Sequence, residues 1–201
     1  MLITLPYQRE RAVAYAKAWA LTRNPLFSDF TGRGGNCTNF VSQCVFAGCG
    51  VMNYTPTFGW YFISETDRAP AWTGVNAFYD FLTDAPDFVS ANGDIGPFGS
   101  VVSNRRQIEQ GDVVQLANSG GDYYHTLIIT GFSGREILVS AQSDDALDRS
   151  LSTYNYASLR IIHIEGAKVS IPDYDRLASD VQNALSLPML PMPPLPPTLS
   201  S

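Results

Sequence analysis

Three cysteines and two histidines are the side chains in this chain best suited to nucleophilic chemistry. Cys37 stands apart from Cys44 and Cys49 because it follows a glycine cluster, Gly32-Arg33-Gly34-Gly35, and opens a run with helical spacing. Glycines there permit positive φ and close backbone approach, and a helix start carries partial positive charge and unsatisfied N–H groups. Both features stabilise a thiolate and can hold an oxyanion. Cys44 and Cys49 fall in the middle of that helix and near its end, where a cysteine is ordinarily a small buried hydrophobe. Cys44 is two turns from Cys37, about 10.5 Å along a helix of 1.5 Å rise, too far for a disulfide and so for a dithiol redox pair. With three cysteines, at least one thiol must be free within the chain.

A thiol nucleophile requires a base. His125 opens the apolar run Thr126-Leu-Ile-Ile-Thr130 after Asp122-Tyr123-Tyr124, which places its ring at a strand end beside a polar loop. His163 lies inside Arg160-Ile-Ile-His-Ile164 and reads as a hydrogen-bonded sheet histidine. The base in turn needs a group to fix its tautomer. A hairpin through Gly131-Phe-Ser-Gly134 would set His125 opposite Ser140 or Gln142, on one sheet face. Gln142 offers an acceptor oxygen, and Asp144, just beyond the strand, offers a charge. The spacing C-x6-C-x4-C fits no zinc site, and the glycine cluster fits neither phosphate-binding nor dinucleotide-binding loops. We therefore expect neither metal nor cofactor.

The elements that must position these residues follow from periodicity. Tyr7–Leu21 carries apolar residues at helical spacing and stops at Asn24-Pro25, and a second helix should start near Thr38 with Phe40, Val41, Cys44 and Val45 on one face. Gly48 or Gly50 supplies its left-handed stop. Thr73–Leu82 reads as a short helix with Val75, Phe78 and Leu82 inward, and residues 92–100 as a loop. From residue 112 the pattern changes to strands at Asp112–Leu116, His125–Thr130, Glu136–Gln142 and Leu159–Ile164. Helices first and an antiparallel sheet afterwards make an α+β domain. Tyr174–Leu185 suggests a last helix, and Leu187–Pro197 is a proline-dense tail suited to polyproline II and to a partner's proline-binding groove.

Composition narrows the partners. At 201 residues, 45% apolar and 12% aromatic, the chain has the size and content of one folded domain with a tail. A net charge of -6 argues against a nucleic-acid partner, and the absence of about 18 uninterrupted apolar residues argues against a membrane span. The first thirty residues show no secretory signal, so the expectation is a protein that stays inside or has lost a leader.

Several motifs in order carry a family resemblance: Gly34-Gly-Asn-Cys-Thr-Asn-Phe-Val-Ser-Gln43, Met52-Asn-Tyr54, Gly59-Trp-Tyr61, Trp72-Thr-Gly-Val75, Gly111-Asp-Val-Val-Gln-Leu116, Tyr124-His-Thr-Leu-Ile-Ile-Thr-Gly131 and Arg160-Ile-Ile-His-Ile164. Together they resemble the Putative amidase domain family, which is related to the papain-like NlpC/P60 and CHAP cell-wall hydrolases. The resemblance implies an α+β papain-like cysteine hydrolase over residues 1–168, followed by a short helix or linker at 169–186 and the tail at 187–201. It implies Cys37 as nucleophile, His125 as base, Gln142 or Asp144 as orienter, and Asn36 or Thr38 beside the oxyanion. Trp60, Tyr61, Trp72 and Tyr124 would wall the cleft. The implied substrate is a peptide or peptidoglycan amide. The family often has aspartate where Asn36 stands and histidine where Gln142 stands, so two further readings follow. One is a binding module that keeps the cleft without turnover, and the other is an acyltransferase or transglutaminase-like enzyme using the same Cys–His pair.

Overall fold

The computed structural model describes residues 2–83 and 95–170. Among them, four helices pack on a seven-stranded antiparallel sheet, an α+β architecture. The helices are α1 (Arg9–Trp19), α2 (Cys37–Cys49), α3 (Pro70–Thr73) and α4 (Val75–Leu82). The strands are β1 (Leu2–Pro6), β2 (Gly96–Val102), β3 (Val113–Ala117), β4 (Tyr123–Ser133), β5 (Glu136–Ala141), β6 (Ala146–Ser150) and β7 (Ser158–Ser170). Sheet order is β1-β7-β3-β4-β5-β6, and β2 also pairs with β7. β7 is the longest strand, so it joins β1 and β2, which precede the expected strand region, to β3.

Helix α2 is buried nearly all round, the expected state of a helix whose residues are apolar or small on every side. Of the two expected stops, Gly50 is the one used: its φ of 68° is left-handed, and its N–H closes on Phe46 O. Gly48 serves another purpose. A Cβ there would meet the Tyr7 ring at 2.3 Å, so glycine lets α2 pass directly over that ring. The amphipathic α1 turns Ala12, Val13, Ala16 and Trp19 inward as its spacing predicts, although the helix ends at Trp19, short of Leu21.

The sheet carries a core on each face. Toward the helices lie Val113, Ile128, Ile162 and Ile164, packed with Phe40, Trp60 and Trp72. On the other face Val114, Leu116, Leu127, Ile129 and Ile161 pack under Leu151 and Tyr154. This is the period-two alternation of strands buried on both sides, which explains their unbroken apolar runs.

Several sequence expectations are corrected. Gly96–Val102 is a strand, not part of a loop: β-branched Val101 and Val102 pair with Ile162 and Ile161, and a bulge at Phe98/Gly99 absorbs the glycine. That glycine cannot be enlarged, since a Cβ would meet His163 O at 2.2 Å. α3, β1 and β6 are additional elements too short to show periodicity. The hairpin of β4 and β5 forms as expected, but its register sets Ser140 opposite Ile128 rather than His125. Strand β7 runs through Ser170, past the expected domain boundary at 168. The expected helix at 174–185 and the proline tail lie outside the described residues. Among the described residues no helix is long and apolar enough to cross a membrane.

Candidate active site

Cys37 is the first residue of α2 and is 6% exposed. The turn before it uses left-handed glycines at Gly34 and Gly35, both with φ of 99°, to bring the chain round to the helix start. No side chain caps the first turn of α2, so its leading N–H groups are left to face whatever occupies the space beside Cys37. The sulfur reaches Thr38 Oγ1 at 3.8 Å. Thr38 Oγ1 in turn bonds Thr126 Oγ1 at 2.9 Å, which fixes the start of α2 to β4 one residue beyond His125.

Asn36, Gln142 and Ser143 form the frame around this helix start. The Asn36 side chain donates to Gln142 Oε1 and accepts from Phe30 N at 3.0 Å and Asn39 Nδ2 at 2.8 Å, while its backbone N–H donates to Ser143 Oγ. Gln142 Nε2 donates to Trp19 O at 2.8 Å and Thr22 O at 2.7 Å. The amide of Gln142 is thus spent on joining the end of α1 to the start of α2. The expected role of Gln142 as orienter of His125 is corrected: its hydrogen bonds go to the end of α1 and to Asn36 before Cys37, and none reaches the imidazole. The Asn36 side chain is likewise a brace, its amide spent on Gln142, Phe30 and Asn39.

His125 is 8% exposed and lies just after an irregularity in β4, where Leu116 pairs with His125 and Ala117 with Tyr123. Thr126 and Ile128 point toward the helices, and alternation sends His125 with Leu127 and Ile129 toward the second core. Its ring lies 6.2 Å from Tyr124 and 6.1 Å from Tyr154. The His125 Nε2 and Tyr154 hydroxyl are both buried without a hydrogen-bond partner, two polar atoms of the kind that hold a water or a substrate group. Burial pushes the imidazole below its ordinary 6.5, the Asp144 carboxylate pulls it up and the Arg149 guanidinium pushes it down. No hydrogen bond joins Cys37 Sγ to either ring nitrogen.

Asp144 pairs with Arg149 at 2.8 Å, and the Arg149 guanidinium sits 4.0 Å over the Tyr154 ring. Asp144 therefore acts on His125 through its charge, while Tyr124 and Tyr154 are the rings that pack against the imidazole. Sequence reasoning missed Tyr154 because it belongs to the irregular segment before β7, where no periodicity points inward. His163 is hydrogen-bonded, as expected: its Nδ1 lies 3.0 Å from Asp112 Oδ2, and Arg9 Nη1 meets the same carboxylate at 2.6 Å. Cys44 and Cys49 are buried free thiols that burial pushes up, Cys49 to about 12.

Of the four expected cleft rings, two are corrected. Trp60 and Trp72 are fully buried, 4.8 Å apart, with indole N–H groups bonded to Ser42 Oγ and Asn39 Oδ1. They fix α2 from behind. Tyr61 is buried beside Asp67, and Tyr124 is exposed and bonded to Asn155 O.

A family model described as "Putative amidase domain" matches residues 6–164, from the end of β1 into β7, and so takes in every element that frames Cys37. The chain belongs to this family. Amide hydrolysis is the activity that family membership suggests. The chain is also 31% identical over 144 residues to "Uncharacterized protein YhbB" of Bacillus subtilis (strain 168), an alignment covering 70% of this chain and 42% of that protein. The chain thus spans less than half of the relative it matches. No solved structure matches it.

Proposed function

We infer that this amidase-family domain is a cysteine-dependent hydrolase of papain-like arrangement, acting on peptide amides of the bacterial cell wall. The observation that carries the reading is Cys37 at the uncapped first position of α2, inside the residues that match the amidase family. His125 is held toward its neutral form by burial and so is poised to accept a proton. It takes the thiol proton, the Cys37 thiolate attacks the amide carbonyl, and first-turn N–H groups of α2 hold the tetrahedral oxyanion. The imidazolium then protonates the leaving amine, the C–N bond breaks, and water attacks the thioester to release the acid and restore the thiol. Sulfur and imidazole share no hydrogen bond in this structure, and alternation turns His125 to the sheet face away from α2, so this mechanism requires the irregular start of β4 to turn the ring toward Cys37.

A second reading is a binding module without turnover. It is favoured by the amide of Gln142, rather than an imidazole, bonding the residue before Cys37. One experiment separates the two: purified cell-wall peptidoglycan is incubated with the wild-type chain, Cys37→Ala and His125→Ala, and released fragments are identified by mass. Fragments made by wild type and lost in both variants support hydrolysis. Release that survives Cys37→Ala overturns the mechanism, and retained wall binding with no wild-type release supports the binding module.

A further inference from the structure

Arg160 occupies an unusual setting on the helix face of the sheet. Its guanidinium carbon lies 3.5 Å from the centre of the Tyr79 ring and 3.7 Å from that of Tyr123, so α4 and β4 each supply an aromatic face. Nε donates to Gln115 Oε1 at 2.7 Å and Nη2 to Asn76 Oδ1 at 3.0 Å. These contacts fix the plane of the group and use two of its five N–H donors. Arg160 also lines an open cleft of about 480 Å³. Val101, Val102 and Ser103 of β2 and its following residue line one side, with Leu159 and Ile161 beside the arginine. A planar cation held flat matches a carboxylate in a two-point pairing. Asp80 contributes a nearby negative charge.

The cleft is coupled to the Cys37 helix by side chains. Gln115, whose oxygen holds Arg160, donates through Nε2 to Val75 O at 2.7 Å and Thr126 Oγ1 at 3.3 Å, and Thr126 bonds Thr38. Two side chains, Gln115 and Thr126, thus connect the guanidinium to Thr38, the residue after Cys37. We propose that the Tyr79–Arg160–Tyr123 cleft is a carboxylate subsite, which makes this domain selective for peptides carrying an acidic side chain or a free carboxyl group. The proposal rests on the hydrolase reading for turnover of such peptides, and on the cleft alone for their binding.

The test uses the full chain with Cys37→Ala as background, so that nothing is turned over, and two probes of equal size: Ac-Ala-Glu-Ala-NH2 and Ac-Ala-Gln-Ala-NH2. Titrations are followed by the backbone amide resonances of Val101, Val102, Leu159 and Ile161. A charge-assisted pairing should favour the glutamyl probe by about tenfold in Kd. Arg160→Gln should erase that preference, and so should Val101→Asp, which adds a like charge on a wall that is 50% exposed without touching the brace of Arg160. Arg160→Lys should retain only part of it. Equal Kd values for the two probes, resonance shifts located elsewhere, or a preference that survives both Arg160→Gln and Val101→Asp overturns the subsite. The same probes offered to the unsubstituted chain separate the two proposals. Cleavage without a carboxylate preference removes the subsite and leaves the hydrolase, and carboxylate-selective binding with no Cys37-dependent turnover of any probe or of peptidoglycan does the reverse.

Discussion

Replacing Gln142 by alanine distinguishes a brace from an orienter. The side chain is 2% exposed and makes three hydrogen bonds: to Trp19 O, to Thr22 O and from Asn36 Nδ2. Removing it costs the buried carbonyl of Trp19, the part-buried carbonyl of Thr22 and the Asn36 amide N–H that partner, at about 1 kcal/mol each, or about 3 kcal/mol in all. That is a large share of a typical stability of about 5–15 kcal/mol. With a urea dependence of about 2 kcal/mol per molar, the unfolding midpoint should fall by about 1.5 M with an unchanged slope. The control is Asp144→Asn, at a carboxylate that is 71% exposed, where the stability change should stay within about 0.5 kcal/mol. Glutamate at 142 should do worse than alanine, because its carboxylate would face the Trp19 and Thr22 carbonyl oxygens. A midpoint shift under about 0.3 M for Gln142→Ala, accompanied by a large loss of turnover, would refute the brace and restore the orienter role.

Three other outcomes are expected. Iodoacetamide at pH 7 should label Cys37 first and Cys44 last, since burial holds Cys44 well above and Cys49 near 12; peptide mass mapping reads the order, and equal labelling of all three would contradict the burial argument. Because burial lowers the His125 pKa, the unfolded chain binds that proton more tightly, so the stability it contributes is kept above about pH 6.5 and lost as pH falls; urea midpoints from pH 8 to 5 should fall less steeply in His125→Gln than in wild type. Tyr154→Phe should leave the unfolding midpoint nearly unchanged, since its hydroxyl has no partner to lose, yet displace the acid limb of the pH–rate profile for peptidoglycan release; an unmoved profile would mean the hydroxyl does nothing for the imidazole.

How much was legible in the sequence divides along a physical line. Local signals were enough for α1, for α2 with its glycine stop and for the hairpin of β4 and β5, because helical spacing, a left-handed glycine and β-branched alternation act over a few residues. They also placed Cys37 at a helix start and His163 in a hydrogen-bonded sheet position. The early strands β1 and β2 were not legible, because they are strands only by pairing with β7, from the far end of the described chain.

The same division holds within the site. Residue types named Cys37, His125, Gln142 and Asp144, and the sequence could not say which of them meet. Register decided that: Ser140 opposite Ile128, with an irregularity ahead of His125, puts Gln142 against the Cys37 helix and the imidazole beside Tyr154. A shift of one residue exchanges sheet faces, and no local propensity fixes it once both faces are apolar. Trp60 and Trp72, plausible cleft rings by composition, became core because their indole N–H groups found Ser42 and Asn39 on α2. The sequence by itself determined the family, the helices α1 and α2 and the β4–β5 hairpin, because their signals are local. Long-range pairing, whose partners lie as much as 168 residues apart between Leu2 and Ser170, decided what faces what.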